Sequence, residues 1–268
     1  MPKTDRLNPD KIRANLKTKR IGREIVVFNC TSSTNDVAWE YAKGAENNGV
    51  VIFAEEQTTG RGRAGNKWFG GKAQSIICSI VLLNSRFSPD LLTLTCAVAV
   101  AETIGRCGSS EAKIKWPNDI ILAGKKVAGI LLESKANNDR SDYVLGIGIN
   151  CHQRPNSFPS ELQPFATSID IVSRSVADRI SLSKRLLTSI DHWLKVAEKN
   201  SRKVTAQWRK LSIQLGHRVT LVFNGTQFVG NCIGIDPQKG LILQLDTGGV
   251  RMFDAAHTSI AKSISGQA

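Results

Sequence analysis

Apolar positions recur along the chain with two periods. Short apolar runs with strand character occupy residues 23–28 (REIVVF), 49–56 (GVVIFAEE), 75–83 (SIICSIVLL), 112–116 (AKIKW), 119–134 (DIILAGKKVAGILLES) and 142–150 (DYVLGIGIN). A glycine at 124 breaks the fifth run and predicts a hairpin. Helical spacing appears between and after these runs. In TSSTNDVAWEYAKG, Ser32, Ser33 or Thr34 can supply an N-cap, Val37, Ala38, Tyr41 and Ala42 form an apolar face, and Gly44 is the stop. SPDLLTLTCAVAVAETIG begins with Ser88 as cap and Pro89 in the first turn, and its almost wholly apolar middle predicts a buried helix. Leu182, Leu186, Ile190, Trp193 and Ala197 line one face of a long helix, with residues 204–211 continuing it after a break. A short basic helix is expected after Pro9, and 151–168, with Pro155, Pro159 and Pro164, reads as loop. From Leu215 onward, short strands alternate with Asn-Gly, Asp-Pro, Lys-Gly and Gly-Gly turns, the pattern of a small β-barrel of about five strands. The expected organisation is α+β, with one domain over 1–213 and a second over 214–268.

Composition narrows the class. At 268 residues, 41% hydrophobic and 22% charged, the chain can bury a substantial core. Neither a secretory signal in the first 24 residues nor an apolar run long enough for a bilayer is visible, so a cytoplasmic protein without a membrane partner is expected. The six cysteines are scattered, never as CxxC, and most sit in apolar patterns, which predicts buried reduced thiols. A net charge of +13 raises the alternative of a nucleic-acid binder. Residues 1–30 hold eight Lys/Arg against three Asp/Glu, and much of the remaining charge is spread along amphipathic helices, so no basic stripe forms. An acidic protein partner would be steered equally well by such a field.

Candidate chemistry concentrates in a few segments. QTTGRGRAGNKW (57–68) combines glycines 60, 62 and 65 with Arg61 and Arg63, whose guanidinium forks suit phosphate or carboxylate. KWPND (115–119) sets a Trp-Pro corner before an amide and a carboxylate at a strand start. In KKVAGIL (125–131), strict alternation places Lys126, Ala128 and Ile130 on one side and Val127, Gly129 and Leu131 on the other. If the Lys126 side lines a pocket, its ammonium is a point charge for phosphate, whereas Lys125 is expected in solvent.

Taken in order, SSTN (32–35), QTTGRGRAGNKW, KWPND, KKVAGIL and GIGIN (146–150) closely resemble the biotin protein ligases, in the form without an N-terminal DNA-binding domain. The resemblance implies a mixed β-sheet with helices on one face, akin to class II aminoacyl-tRNA synthetases, followed by an SH3-like barrel. It implies activation of biotin by ATP, with Mg²⁺, to biotinyl-5′-AMP, and transfer to a lysine of the biotin carboxyl carrier protein of acetyl-CoA carboxylase or a related carboxylase. No specific DNA binding is expected, and a homodimer is left open. By the same resemblance Lys126, Arg61 and Arg63 are the catalytic cations. Ser33, Thr34, Asn35 and Gln57 surround the ureido ring of biotin, whose apolar part lies against Gly129. Gly60 and Gly62 belong to the binding loop, Trp68 covers the adenylate, Asn118 and Asn150 lie near the nucleotide, and Asp119 serves the metal. Many relatives carry a third arginine where this chain has Ala64. A lipoate ligase is the nearest rival, set aside because the GRGRxG loop, KWPND and the terminal barrel resemble the biotin branch.

Overall fold

A computed structural model describes residues 5–107, 110–137 and 140–261. In chain order the elements are α1 (Pro9–Arg13), β1 (Ile25–Phe28), α2 (Thr34–Tyr41), β2 (Val51–Ala54), β3 (Ser75–Ser85), α3 (Pro89–Gly105), β4 (Lys113–Lys115), β5 (Asp119–Leu122), β6 (Lys125–Asn137), β7 (Arg140–Asn150), α4 (Ile169–Ser173), α5 (Arg179–Lys199), α6 (Ser201–Leu211), β8 (Arg218–Phe223), β9 (Thr226–Asp236), β10 (Gly240–Leu245), β11 (Val250–Phe253) and β12 (Thr258–Ile260). The first seven strands form one mixed sheet in the order β1-β2-β3-β7-β6-β5-β4; β1 and β2 run parallel and the other neighbours antiparallel. The last five form a second, antiparallel sheet in the order β11-β10-β9-β8-β12. No closed ring links its two outer strands among the described residues, so the architecture at this level is a five-stranded sheet.

The two faces of the large sheet carry different loads. Val51, Phe53, Ile76, Cys78, Ile80, Ile147 and Ile149 point into the main core under α3 and α5. Ser88 caps α3 by accepting from Leu91 N at 3.2 Å, and this helix buries residues on every side, as its unbroken apolar run requires. The alternate residues Ile52, Val81 and Val144 face the other way and pack with Ala38 of α2. Helices therefore cover both faces, and the expectation of helices on one face is corrected. Strand β2 reads VIFA and is buried throughout, so alternation could not announce that a second face was covered.

Arg179, at the start of α5, is fully buried yet carries charge. It donates to Asp5 Oδ1 at 2.9 Å, Glu55 Oε2 at 2.7 Å and the Ser75 carbonyl at 3.0 Å. His152 extends this knot, its ring nitrogens lying 3.1 Å from Asp5 Oδ2 and 2.8 Å from Asp170 Oδ2. The hydrogen bond with Asp5 raises the His152 pKa against the opposing effect of burial. A folded pKa above the ordinary value means that His152 adds stability that is complete below about pH 6.5 and is lost as pH rises through its folded pKa. The melting temperature should therefore fall from mildly acidic to alkaline pH more steeply in the parent than in His152→Gln. Parallel slopes in thermal melts of the two proteins would remove His152 from this role. No described helix is long and apolar enough to cross a membrane. Of the cysteines, Cys78, Cys96, Cys151 and Cys232 are buried and Cys30 is exposed; all six are free.

Candidate active site

The sheet face that carries α2 becomes almost bare of side chains beyond that helix. Register aligns Ile77, Gly148, Gly129 and Asp119 in one row across β3, β7, β6 and β5, and Ser79, Gly146 and Leu131 in the next. The glycines make a floor on which other groups lie. A Cβ on Gly148 would stand 2.4 Å from the Trp68 ring, and one on Gly146 would stand 2.4 Å from Asn35 Oδ1. Gly129, the third glycine of the floor, lies under Trp68 and the end of Lys126. Gly146 and Gly148 were not among the predicted site residues, although their strict alternation with Ile147 and Ile149 was a usable signal of one face stripped for close approach.

One wall is the first turn of α2. Ser33 occupies the N-cap position without a capping side-chain bond; Gln57 does that work from the loop, its Oε1 accepting from Thr34 N at 2.7 Å and Thr34 Oγ1 at 3.0 Å. Ser79 Oγ donates to Asn35 Oδ1 at 2.6 Å and stands 2.7 Å from the Thr34 hydroxyl. Asn35 is 3% exposed, yet its Nδ2 has no partner, as is true of Trp68 Nε1. Two orphan donors beside one glycine floor mark a place built for acceptors, since leaving a buried donor unpaired costs about 1–3 kcal/mol.

The other wall is cationic. Regular alternation would have placed Lys126 with the buried Ala128 and Ile130. Pairing of β5 with β6 instead skips from Ile120–Ala128 to Ile121–Lys126, so Val127 is the extra residue of a β-bulge. The bulge returns Lys126 to the Gly129 side, and that is the correction to the expected faces. Its ammonium lies 2.5 Å from Asp119 Oδ1 and 5.9 Å from the Trp68 ring centre. Its backbone is clamped from outside the sheet, with Lys126 N donating to the Phe165 carbonyl at 2.7 Å and Thr167 N to the Lys126 carbonyl at 2.9 Å. Lys125 is exposed and donates to the Gln163 carbonyl at 3.1 Å.

The Gly/Arg loop closes like a narrow hairpin, with Trp68 N donating to the Gly60 carbonyl at 3.0 Å and Gly62 N to the Asn66 carbonyl at 2.7 Å. Ala64 sits in the left-handed region at φ 53°. Arg63 reaches the C-terminal sheet, donating to the carbonyls of Ala255 and, at 3.3 Å, Thr258, with Asn118 Oδ1 at 3.5 Å. Burial lowers its pKa, while Asp119, Asp90 and Asp254 favour its charged form. Arg61 turns away to Asp36 and Glu133. Asn118 is held by the Ile130 carbonyl at 2.8 Å, and Asn150 is spent on structure, donating to the Thr167 carbonyl at 2.9 Å and accepting from Gln153 at 3.2 Å. Thus Ser33, Thr34, Asn35, Gln57, Trp68, Asn118, Asp119, Lys126 and Gly129 gather at one cleft with Arg63 at its rim; Arg61 is committed elsewhere.

The chain and its fold have known counterparts among ligases. A family model described as the Biotin/lipoate A/B protein ligase family matches residues 27–150. The chain is 33% identical over 262 residues to a biotin–acetyl-CoA-carboxylase ligase of Mycobacterium tuberculosis, covering 93% of this chain and 95% of that one. It is 32% identical over 263 residues to the bifunctional ligase/repressor BirA of Bacillus subtilis, covering 94% and 79%. The biotin protein ligase of Aquifex aeolicus, solved in complex with biotin and ATP, superposes with a TM-score of 0.78 at 25% identity, covering 90% of this chain and 100% of that one. The chain belongs to the biotin protein ligase family.

The floor gives a direct test of the cleft. Gly148→Val should displace Trp68 and reduce biotin binding by at least about tenfold, because backbone sheet atoms cannot retreat from a new side chain. Unchanged affinity in equilibrium dialysis would mean that the floor is not where biotin lies.

Proposed function

We propose that the protein is an ATP-dependent ligase that converts biotin to biotinyl-5′-AMP and transfers biotin to a specific lysine of a biotin carboxyl carrier protein, in the cytoplasm. The observation that carries this reading is the Lys126 ammonium, 2.5 Å from Asp119, at the edge of a glycine floor whose opposite wall holds the unpartnered Asn35 Nδ2. In the first step a biotin carboxylate oxygen attacks the α-phosphorus of ATP and pyrophosphate leaves. Two anions must approach, and a cation that can exchange Asp119 for both offsets their repulsion. Arg63 adds a second cation at the rim, half-buried and paired chiefly with carbonyls. The ureido group is assigned to the wall of Ser33, Thr34, Asn35 and Gln57, with the orphan amide nitrogen donating to its oxygen. In the second step the carrier amine attacks the acyl carbon, AMP leaves, and an amide forms.

The carboxylate of Asp119 fits a magnesium ion, which is ordinarily held by one or two carboxylates together with substrate phosphates. Mg²⁺ would supply charge neutralisation on the phosphate oxygens; Lys126 and Arg63 would orient the reacting groups. The segment 214–268, whose described part carries the second sheet, is assigned as an SH3-like barrel domain beside a synthetase-like catalytic domain over 1–213. Its support is the five-strand antiparallel order and the reach of Arg63 to its carbonyls.

Incubation with ATP, Mg²⁺, biotin and a biotinyl carrier domain, followed by mass analysis, should show one biotin added to the carrier. Pyrophosphate exchange driven by lipoate and not by biotin would overturn the substrate assignment.

A further inference from the structure

Arg61 belongs to the loop that should grip the anion, yet its charge is already used. Its guanidinium forks onto Asp36, Nη1 to Oδ2 at 2.9 Å and Nη2 to Oδ1 at 2.6 Å, and Nη2 also reaches Glu133 Oε1 at 3.2 Å. Both acids are themselves placed by the fold. Asp36 lies in the first turn of α2 beside Asn35, and Glu133 lies on β6, its Oε2 accepting from Trp39 Nε1 at 2.7 Å. The Lys135 ammonium stands over that indole, 4.2 Å from the ring centre. The hydrogen bond to Asp36 raises the Arg61 pKa, and the reciprocal bond lowers that of Asp36. A fork-on-fork pair with a third carboxylate oxygen leaves no surplus positive charge for a phosphate, and freeing the guanidinium would break three hydrogen bonds.

What the contact does hold is geometry. Arg61 is one residue from Gly60, whose carbonyl receives the Trp68 N–H, and the residue pair Arg61 and Lys67 forms the bridge of the loop hairpin. Tying Arg61 to α2 and β6 at once therefore fixes the root of the segment that lays Trp68 on Gly148.

We propose that Asp36 and Glu133 are positioning residues that hold Arg61 as a strut at the root of the Gly60–Trp68 loop, and that Arg61 does not contact the anionic substrates. The anion-binding work then falls to Lys126 and Arg63. This inference rests on the ligase reading given above, and the tests separate the two.

Asp36→Asn, Arg61→Asp and a swap of Asp36→Arg with Arg61→Asp, made together with Glu133→Gln so that no second carboxylate faces position 61, form the series. The first readout needs no substrate: the rate of tryptic cleavage after Lys67 in the free protein. Asp36→Asn and Arg61→Asp should each raise it about fivefold, the scale of a half-exposed ion pair, and the swap should return it toward the parent value. The second readout is dissociation of preformed biotinyl-AMP, which should quicken in the single variants and recover in the swap, with the KM for ATP near the parent value throughout. A swap as impaired as Arg61→Asp, at parental melting temperature, would show that position 61 needs its cation for the substrate and would overturn the proposal. So would an Asp36→Asn protein with parental cleavage and retention. If the parent shows no biotin-driven exchange, the ligase reading fails, while the cleavage series still decides whether the strut exists.

Discussion

Lys126→Ala is expected to lose biotin-dependent ATP–pyrophosphate exchange by on the order of 10²–10³-fold, the effect of removing one preorganised charge-stabilising group. The variant also leaves the Asp119 carboxylate without its partner at 2.5 Å. Folding should survive. The ammonium is partly exposed, and the contacts that anchor this part of β6 to 165–167 come from the Lys126 backbone. Exchange assays and thermal melts on the same preparation check both halves. Parental exchange in Lys126→Ala would take the residue out of the reaction.

The largest effect on stability should come from Arg179→Ala. The side chain is fully buried and holds Asp5 and Glu55, the latter only 3% exposed. Removing one member of a buried charge pair leaves the others unpaired in low dielectric, at a cost of about 3–5 kcal/mol. For a chain of this size that is a melting temperature lower by about 10 °C. Arg179→Ala combined with Glu55→Gln should recover part of the loss, since the stranded charge is then gone. If the double variant melts lower than the single, the damage is lost packing, and the charge account fails.

Much of the architecture was readable because local chemistry and burial agree. Ser88-Pro89 opens α3, the stripe from Leu182 to Ala197 faces the core of α5, and the turn-rich tail becomes five strands. Of the site, Lys126, Asp119, Asn35, Gln57 and Trp68 do meet at one cleft. The misreadings all arise where something non-local intervenes. Val127 shifts the β5–β6 pairing by one residue and reverses the face of Lys126, which no period-two pattern can announce. Gln57 caps α2 from 23 positions away, and Arg179 meets Asp5 across 174, so neither partner is visible in its own neighbourhood. Arg61 looked like a free cation because its two acids lie 25 and 72 positions distant.

The unpartnered nitrogens of Asn35 and Trp68 carry a thermodynamic consequence. A substrate that accepts from those donors binds the native state, where the floor and both walls exist, and not the unfolded chain. Substrate concentration thus becomes a term in the folding equilibrium. At one hundred times the dissociation constant the gain is about 2.7 kcal/mol, so the protein should melt higher in the presence of the molecule it consumes.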